Sequence, residues 1–560
     1  MEVSTENFAE ELSYGPPKEW RNEIKLHTLY PPIPRNTGGA DFDIYNFDML
    51  FNDKATNDLI RTGKTIGCFY IESPGMRSLL RKLDVHDFEM LTAASSIIRP
   101  GVAESGMMQE FIARHKDPTK RKYLVPEMKD VLGETYGVMI YQEDVIKVAY
   151  HIAGLSLEEA DLLRRAMSGK MRSHTAMKKI ADSFFYSCSA KGLTDEQSKE
   201  LWRQIESFAG YSFCKAHSAS FALLSYQVAF LKAHYPAEFM ASVLSNGGGF
   251  YSAAVYIWEA KRLGLKILLP CINKSENEYT GINDKLQIGL MAVKNLSHKS
   301  AEKILSERKQ NGYYHSLADF LIRTKLGFEE TSILIKCGAM GCFKKTRPEL
   351  LRLLDIYIHK RKILDESYND LFLHETFEME NEVKTNINFS VEEICKAEYE
   401  TFDYMVTRHP LYFYRSYTEQ PAIVKAKDLN KHRGKNVKLI GWYMTSKRVK
   451  TRKGDMMKFL SLEDTTGTFE AVIFPREYEK FAEQTLSMGP YVIDGKVDLN
   501  DSTNVVVSNL GILSVSSIKV TDQKDSVDNK YFGDVEKISE EDFMMLEGID
   551  KEKLRLAYAS

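Results

Sequence analysis

Lys215 and His217 stand immediately before a long apolar-periodic run, ALLSYQVAFLKAH, which Pro236 interrupts. The first turn of a helix carries backbone N–H groups without intrahelical partners and the positive end of the dipole, so this place can hold an anion. A cationic side chain, a proton-donating one and an aromatic ring one turn further in, Phe221, fit a phosphate that bears a flat ring, the outline of a nucleotide. A second basic group lies upstream. Ser156 and Glu159 form a capping box for a helix over 157–167, Ala160, Leu163 and Met167 share its apolar face, and Arg164, Arg165 and Lys170 gather at its end. Cations there gain about 0.3–1 kcal/mol from the dipole and need no other role. Arginines can equally fork onto phosphate oxygens.

The scaffold that must position these groups has ordinary proportions. Of 560 residues, 43 % are hydrophobic, enough for sizeable cores, and the length predicts several domains. No apolar run has the length of a membrane span, and Met1 leads into a polar stretch rather than a basic, apolar leader, so a cytoplasmic location is expected. Seven scattered cysteines without paired CxxC spacing read as reduced thiols, and no metal site is expected. A net charge of −3 does not by itself indicate a nucleic-acid binder, but its distribution is uneven. Basic residues concentrate in 161–180 and 447–453, acidic ones in 366–400 and 520–551.

The pattern along the chain predicts a multidomain, mainly α architecture followed by a small all-β barrel. Residues 1–40 are a polar, Pro-rich lead-in, and 41–245 are mostly helical. Residues 246–275 form a connector that opens on the Gly247–Gly249 turn or hinge and continues with a short helix carrying Trp258. Two short helical units occupy 276–350, and 351–430 hold a basic helix and a charged linker. Alternating apolar strings over 431–515 (VKLIGWYM, MMKFLSLED, TFEAVIF, YVIDGKV, TNVVVSNLGIL) predict five strands closing an OB-fold barrel. Residues 516–560 are an acidic tail. Lys447, Arg448, Lys450, Arg452 and Lys453 are expected at the tip of the first barrel hairpin. With Trp442 and the rings of Tyr443 and Phe459 nearby, they fit a single-stranded nucleic acid, charge tracking the backbone and rings stacking on bases. A solvated turn over an aromatic core is the alternative.

Several strings also resemble the alpha subunit of bacterial DNA polymerase III, the C-family replicative polymerases. They are Tyr70-Ile71-Glu72-Ser73-Pro74-Gly75-Met76, Arg99-Pro100-Gly101, Thr135-Tyr136-Gly137, Tyr141-Gln142-Glu143, Leu162-Leu163-Arg164-Arg165-Ala166-Met167 and Phe213-Cys214-Lys215-Ala216-His217-Ser218. The resemblance runs in family order from about residue 41 to 515. It implies helical fingers at 41–245 that grip the triphosphate of a dNTP with Arg164, Arg165, Lys170, Lys215 and His217, with Phe221 against the nucleotide in place of the family's usual Tyr. It implies tandem helix-hairpin-helix units at 276–350 that bind duplex DNA, with Lys294 and Lys299 on the first. The turn of that unit, Asn295-Leu296-Ser297, lacks the family's two glycines, and the second unit lies around Leu334–Gly341. It further implies that Tyr368-Asn369-Asp370-Leu371-Phe372 is a sliding-clamp peptide, with Leu371 and Phe372 as its apolar contacts.

Template-directed synthesis needs paired carboxylates that hold two Mg2+ ions, and the family places these in a palm N-terminal to the fingers. Asp41-Phe42-Asp43 imitates such a pair but lies far closer to the Glu72 string than the family's spacing. A turn is expected there, and no catalytic residue in this chain. The expected function is thus part of a polymerase III alpha subunit in DNA replication or repair, inactive alone and working on primed DNA with a separately encoded palm-bearing chain. The alternatives are a non-catalytic DNA- and clamp-binding paralogue and a truncated product.

Overall fold

The structure, a computed structural model, describes residues 43–98, 106–167, 174–207, 214–364, 383, 387–451 and 453–513. The chain divides into two units, Met1–Phe47 and Asp48–Ser560, and the second holds the elements that build the candidate sites. The lead-in, Arg99-Pro100-Gly101, Lys170, Phe213, Leu371, Phe372, Arg452 and the acidic tail lie outside the described residues.

Local signals start the helices of the region that the sequence reads as mostly helical. Asp53 caps α1 (Lys54–Arg61), Ser73 caps α2 (Pro74–Leu83) ahead of Pro74, and Asp87 caps α3 (Phe88–Ile97). After α4 (Gln142–Lys147), α5 (Leu157–Arg165) carries the expected capping box, with Ala160 and Leu163 fully buried. The long helix α6 (Lys215–His234) ends at Tyr235, and Pro236 opens α7 (Pro236–Ser245). Small residues at Ser218, Ala222 and Ala229 let α6 lie close against the buried α3, so that the Ser96 and Ser218 hydroxyls meet at 2.6 Å.

Helix α8 (Ala253–Arg262) leads into a three-stranded sheet, β1 (Lys266–Leu268), β2 (Thr280–Ile282) and β3 (Lys285–Gln287), in the order β1-β3-β2. The sequence reading assigned only helical units to 276–350. Three-residue strands are too short to show a period of two, and their place is fixed by packing. A Cβ at Gly281 would stand 2.1 Å from the Ala237 backbone at the start of α7. Then follow α9 (His298–Asn311), α10 (Leu317–Thr324), α11 (Phe328–Lys336) and α12 (Arg347–Leu364), the last covering the expected basic helix.

Five strands form a closed barrel: β4 (Asn436–Lys450), β5 (Met456–Glu463), β6 (Thr468–Ile473), β7 (Tyr491–Val497) and β8 (Asn504–Ile512). The β6–β8 pair is parallel and the others antiparallel, a mixed closure consistent with an OB-fold. The sequence reading ended the first strand before Lys447. In the structure β4 runs on through Lys450, pairing Lys447 with Phe459 and Lys450 with Met456, so the tip is shorter. No helix among the described residues is long and apolar enough to cross a membrane.

Three hydrophobic cores result. One joins α1–α3 to α6–α12, a second packs Val145 and Leu163 against Phe184 and Leu201, and the third fills the barrel. Two groups of polar contacts fasten the barrel to the helices. Arg81 of α2 forks onto Asp501 with both bonds at 3.0 Å, Ser78 donates to Asp501 at 2.8 Å, and Arg77 reaches Thr468 at 2.8 Å. Deeper, Lys232 of α6 has all three ammonium protons placed, on the Lys64 and Ile66 carbonyls (2.7 Å each) and on Glu259 (2.6 Å). Arg262 then bridges Glu259 (3.2 Å) and the barrel's Glu463 (2.8 Å).

Burial works to raise the Asp501 carboxyl, but Arg81 and Ser78 outweigh it and hold it at about 2, below the ordinary 3.8. Its neighbour Glu470 is pushed the other way by burial, to about 7. The Asp501 contribution is complete above its ordinary value and is lost as pH falls through about 2. The penalty of charging Glu470 is relieved as pH falls below about 7. Thermal melting followed against pH should therefore show greatest stability in the mildly acidic range. Asp501→Asn should cost about 3 kcal/mol at neutral pH and flatten the acid limb. An unchanged acid limb in that variant would show that Asp501 does not fasten the barrel.

Candidate nucleotide and nucleic-acid interface

The anion position before α6 is built by three segments. Cys214 is the N-cap of α6 and makes no side-chain capping bond, which leaves the first-turn N–H groups for other partners. The Lys215 N–H donates to Glu143 Oε2 at 2.8 Å, and the Lys215 ammonium pairs with Glu134 at 2.8 Å beside the Tyr141 ring. Burial pulls this ammonium below its ordinary value, against the opposing pull of Glu134. Glu143 is in place because Asp144, fully buried and pushed up to about 6 by that burial, accepts the Ile140 and Tyr141 N–H groups and fixes the start of α4.

The same helix start holds the second basic group. Arg164 donates to Gln142 Oε1 at 2.9 Å and pairs with Asp161, and Arg165 holds the other Asp161 oxygen at 2.7 Å. Adjacent residues Gln142 and Glu143 thus connect Arg164 to Lys215, bringing together groups that lie far apart in sequence. His217 and Phe221 stand one turn into α6 with ring centroids 4.4 Å apart, and Phe221 packs on Tyr70 at 4.9 Å and Phe69 at 5.8 Å. Phe69 is 48 % exposed, so this aromatic surface reaches solvent.

The sequence reading named the cations here and missed the acids that balance them, Glu134, Glu143 and Asp161. The Tyr141-Gln142-Glu143 string was the available signal for Glu143. Glu72, prominent in the sequence, is structural. Its carboxylate accepts the Gly67 and Phe250 N–H groups at 2.8 and 2.6 Å and the Tyr256 hydroxyl. A Cβ at Gly249 would stand 2.3 Å from Glu72 Oε1, so the glycine triplet is a pinned turn.

At the first hairpin, Asn295 takes the left-handed conformation at φ 61°, as the missing glycine requires. Lys294 does not project freely from it. Its ammonium pairs with Asp403, and its N–H donates to Thr401 at 2.8 Å. Lys299 is exposed in the first turn of α9. The anion position of that turn is already filled, because Glu330 of α11 accepts the Ser297 N–H at 3.0 Å and the Ser300 hydroxyl at 2.7 Å. The second hairpin keeps a glycine where one is needed, Gly338 at φ 88°.

On the barrel, Lys447, Arg448 and Lys450 are exposed along β4, and Lys453 is exposed at the tip. Lys458, opposite Arg448, is buried, donates to Thr485, and is pulled down to about 8 by burial and by Arg448. Tyr443 packs against the barrel core. Trp442 is half-buried, and Met444, at a bulge two residues on, belongs to the core of the helical body. Asp43, half of the apparent carboxylate pair, accepts the Tyr45 N–H at 2.9 Å in a local turn.

Two regions of the chain match known protein families. Residues 29–192 match the family model of the bacterial DNA polymerase III alpha subunit finger domain, and residues 264–350 match a helix-hairpin-helix motif. The chain is 31% identical over 496 residues to DNA polymerase III subunit alpha of Staphylococcus aureus (strain MRSA252), covering 87% of this chain and 45% of that protein. It is 34% identical over 464 residues to the subunit alpha of Aquifex aeolicus (strain VF5), covering 81% of this chain and 38% of the relative. The chain therefore spans less than half the length of these relatives.

Glu330→Gln removes a carboxylate from the place a duplex phosphate would take. Fluorescence anisotropy with a duplex should show affinity rising several-fold, and the salt dependence should steepen by about one counterion. Unchanged affinity and slope would show that the first hairpin does not touch DNA.

Proposed function

We propose, for a chain that carries a DNA polymerase III alpha subunit-like region with a finger domain and a helix-hairpin-helix motif, that it supplies the nucleotide-holding and DNA-holding parts of a template-directed DNA polymerase. The observation that carries the reading is the meeting of Lys215, Arg164 and the start of α6 through Gln142 and Glu143. In this reading an incoming triphosphate displaces Glu134 and Glu143, takes the Lys215 ammonium and the helix-start N–H groups, and draws Arg164 and Arg165 from Asp161. Phe221 and His217 bound the sugar and base. Phosphate is the stronger competitor because it offers more oxygens and more charge than one carboxylate. Duplex DNA lies along the second hairpin, and the template single strand along the β4 ribbon, where Lys447, Arg448, Lys450 and Lys453 follow the phosphates.

Mg2+ would lower the barrier to phosphoryl transfer by stabilising the attacking and leaving oxygens. The carboxylates near the site do not fit that task. Glu72 and Asp144 are satisfied by backbone N–H groups, Glu134 and Glu143 by Lys215, and no cluster of three or more metal-ligating residues occurs among the described residues. The metal-holding carboxylates are therefore assigned to a palm supplied by other polypeptide, a partner chain included. A sliding clamp is a further proposed partner, resting on Leu371 and Phe372 alone.

A second reading, a non-catalytic DNA-binding protein, is favoured by one feature: both helix starts, at Lys215 and at Ser297, hold the chain's own carboxylates. Nucleotide binding separates the two. Primer extension with a palm-bearing polymerase segment, Mg2+ and dNTPs should restore synthesis, and Lys215→Ala should raise the dNTP concentration required by about tenfold or more. Glu134→Gln should lower it, and both variants should leave duplex affinity unchanged. A Lys215→Ala protein with normal dNTP dependence would overturn the proposed grip.

A further inference from the structure

A second cationic place lies far from α6 in sequence, where α8, the 404–425 segment and the outer face of the barrel meet. These elements enclose a cleft of about 350 Å³ whose wall includes Trp258, Lys261, Arg408, Tyr412, Arg415 and Lys425. Arg408 and Arg415 both lean on the Tyr412 ring, 5.1 and 4.8 Å from its centroid, and both are exposed. Neither forms an ion pair with a carboxylate among the described residues. The two lysines are oriented by carbonyls instead of acids. Lys261 donates to Val406 O and lies 4.1 Å over the Trp258 ring, and Lys425 donates to Thr418 O at 2.6 Å.

The wall has two carboxylates, Glu419 and Asp464. Asp464 is consumed locally, accepting the Ala426, Thr466 and Gly467 N–H groups at 2.8, 2.7 and 2.9 Å. Of the carboxylates on the wall only Glu419 is left beside four cations, with Glu398 acting on Lys261 from outside the cleft. Two guanidiniums braced on one ring lose little freedom on binding and present the fork that suits phosphate oxygens. A phosphate group alone would leave much of the cleft empty, and its wall also carries the apolar Trp258, Leu411 and Ile440 beside Thr407, His409, Thr418 and Thr465.

We propose that this cleft binds a nucleotide phosphate, either a free nucleotide or the phosphorylated end of a strand, with the phosphate between Arg408 and Arg415 and the base against the Trp258 wall. It is separate from the proposed dNTP grip at α6 and does not depend on it.

Photolabelling of the full chain with azido-adenosine diphosphate, followed by peptide mapping, tests the assignment. Label is expected on the segments carrying Trp258 or Tyr412. It should fall about tenfold in the Arg408→Ala/Arg415→Ala double variant and persist in Lys215→Ala. Arg415→Lys, which keeps the charge without the fork, should give intermediate labelling, and unchanged thermal melting of all variants excludes loss of fold. Adenosine diphosphate and an oligonucleotide with a terminal phosphate should both compete, the stronger of them identifying the source. Label absent from both segments, full labelling of the double variant, or competition by adenosine equal to that by its diphosphate would each overturn the proposal.

Discussion

The arrangement of the helical body and the barrel depends on a buried line of charge: Lys232, Glu259, Arg262 and Glu463. Lys232 is 1 % exposed and Glu463 2 %, so each charge has given up water and must be repaid by its neighbours. The Lys232 ammonium is fully satisfied, and Glu259 stays ionised because Lys232 and Arg262 overcome the effect of burial, holding it at about 2. Removing any member would strand its partners. The line crosses from α6 through α8 to β5, so the helix that starts at Lys215 and the strand that pairs with the basic ribbon of β4 are fixed by the same interaction. A apolar contact of similar area would tolerate sliding, whereas this one sets a register.

A second theme is how the molecule treats helix starts. At α6 and at α9 the exposed N–H groups are met by glutamates from other elements, Glu143 and Glu330. The dipole and the unpaired N–H groups attract negative charge whatever its source. A carboxylate held on a neighbouring element keeps the position ordered without ligand and sets a threshold that a ligand must exceed. For a triphosphate the threshold is low compared with its own charge. For a single duplex phosphate, one carboxylate is a closer match.

Cations in this chain behave differently according to what braces them. Lys215, Arg164 and Lys294 are committed to acids, while Arg408 and Arg415 are braced on a ring and Lys261 and Lys425 on carbonyls. Bracing by a ring or a carbonyl orients a cation and leaves its charge uncompensated. That difference, invisible in a count of basic residues, separates cations that a ligand must win from a carboxylate from cations that a ligand meets without displacing one.

Much of the architecture was legible in the sequence because it is locally encoded. The capping box at Ser156, the break at Pro236, the positive φ at Asn295 and the five alternating strands each follow from residues within a few positions of one another. The basic groups at Arg164 and Lys215 were legible for the same reason. What the sequence could not yield is what meets these groups. Glu143 on Lys215, Glu330 on Ser297, Asp403 on Lys294 and Asp501 on Arg81 all join residues distant along the chain. Local sequence determined which side chains carry charge and where the long helices and the five barrel strands fall, though not the three short strands β1–β3. Tertiary packing alone decided which charges are neutralised, because a partner at a few ångströms is set by the fold and leaves no mark on the residue's neighbours in sequence.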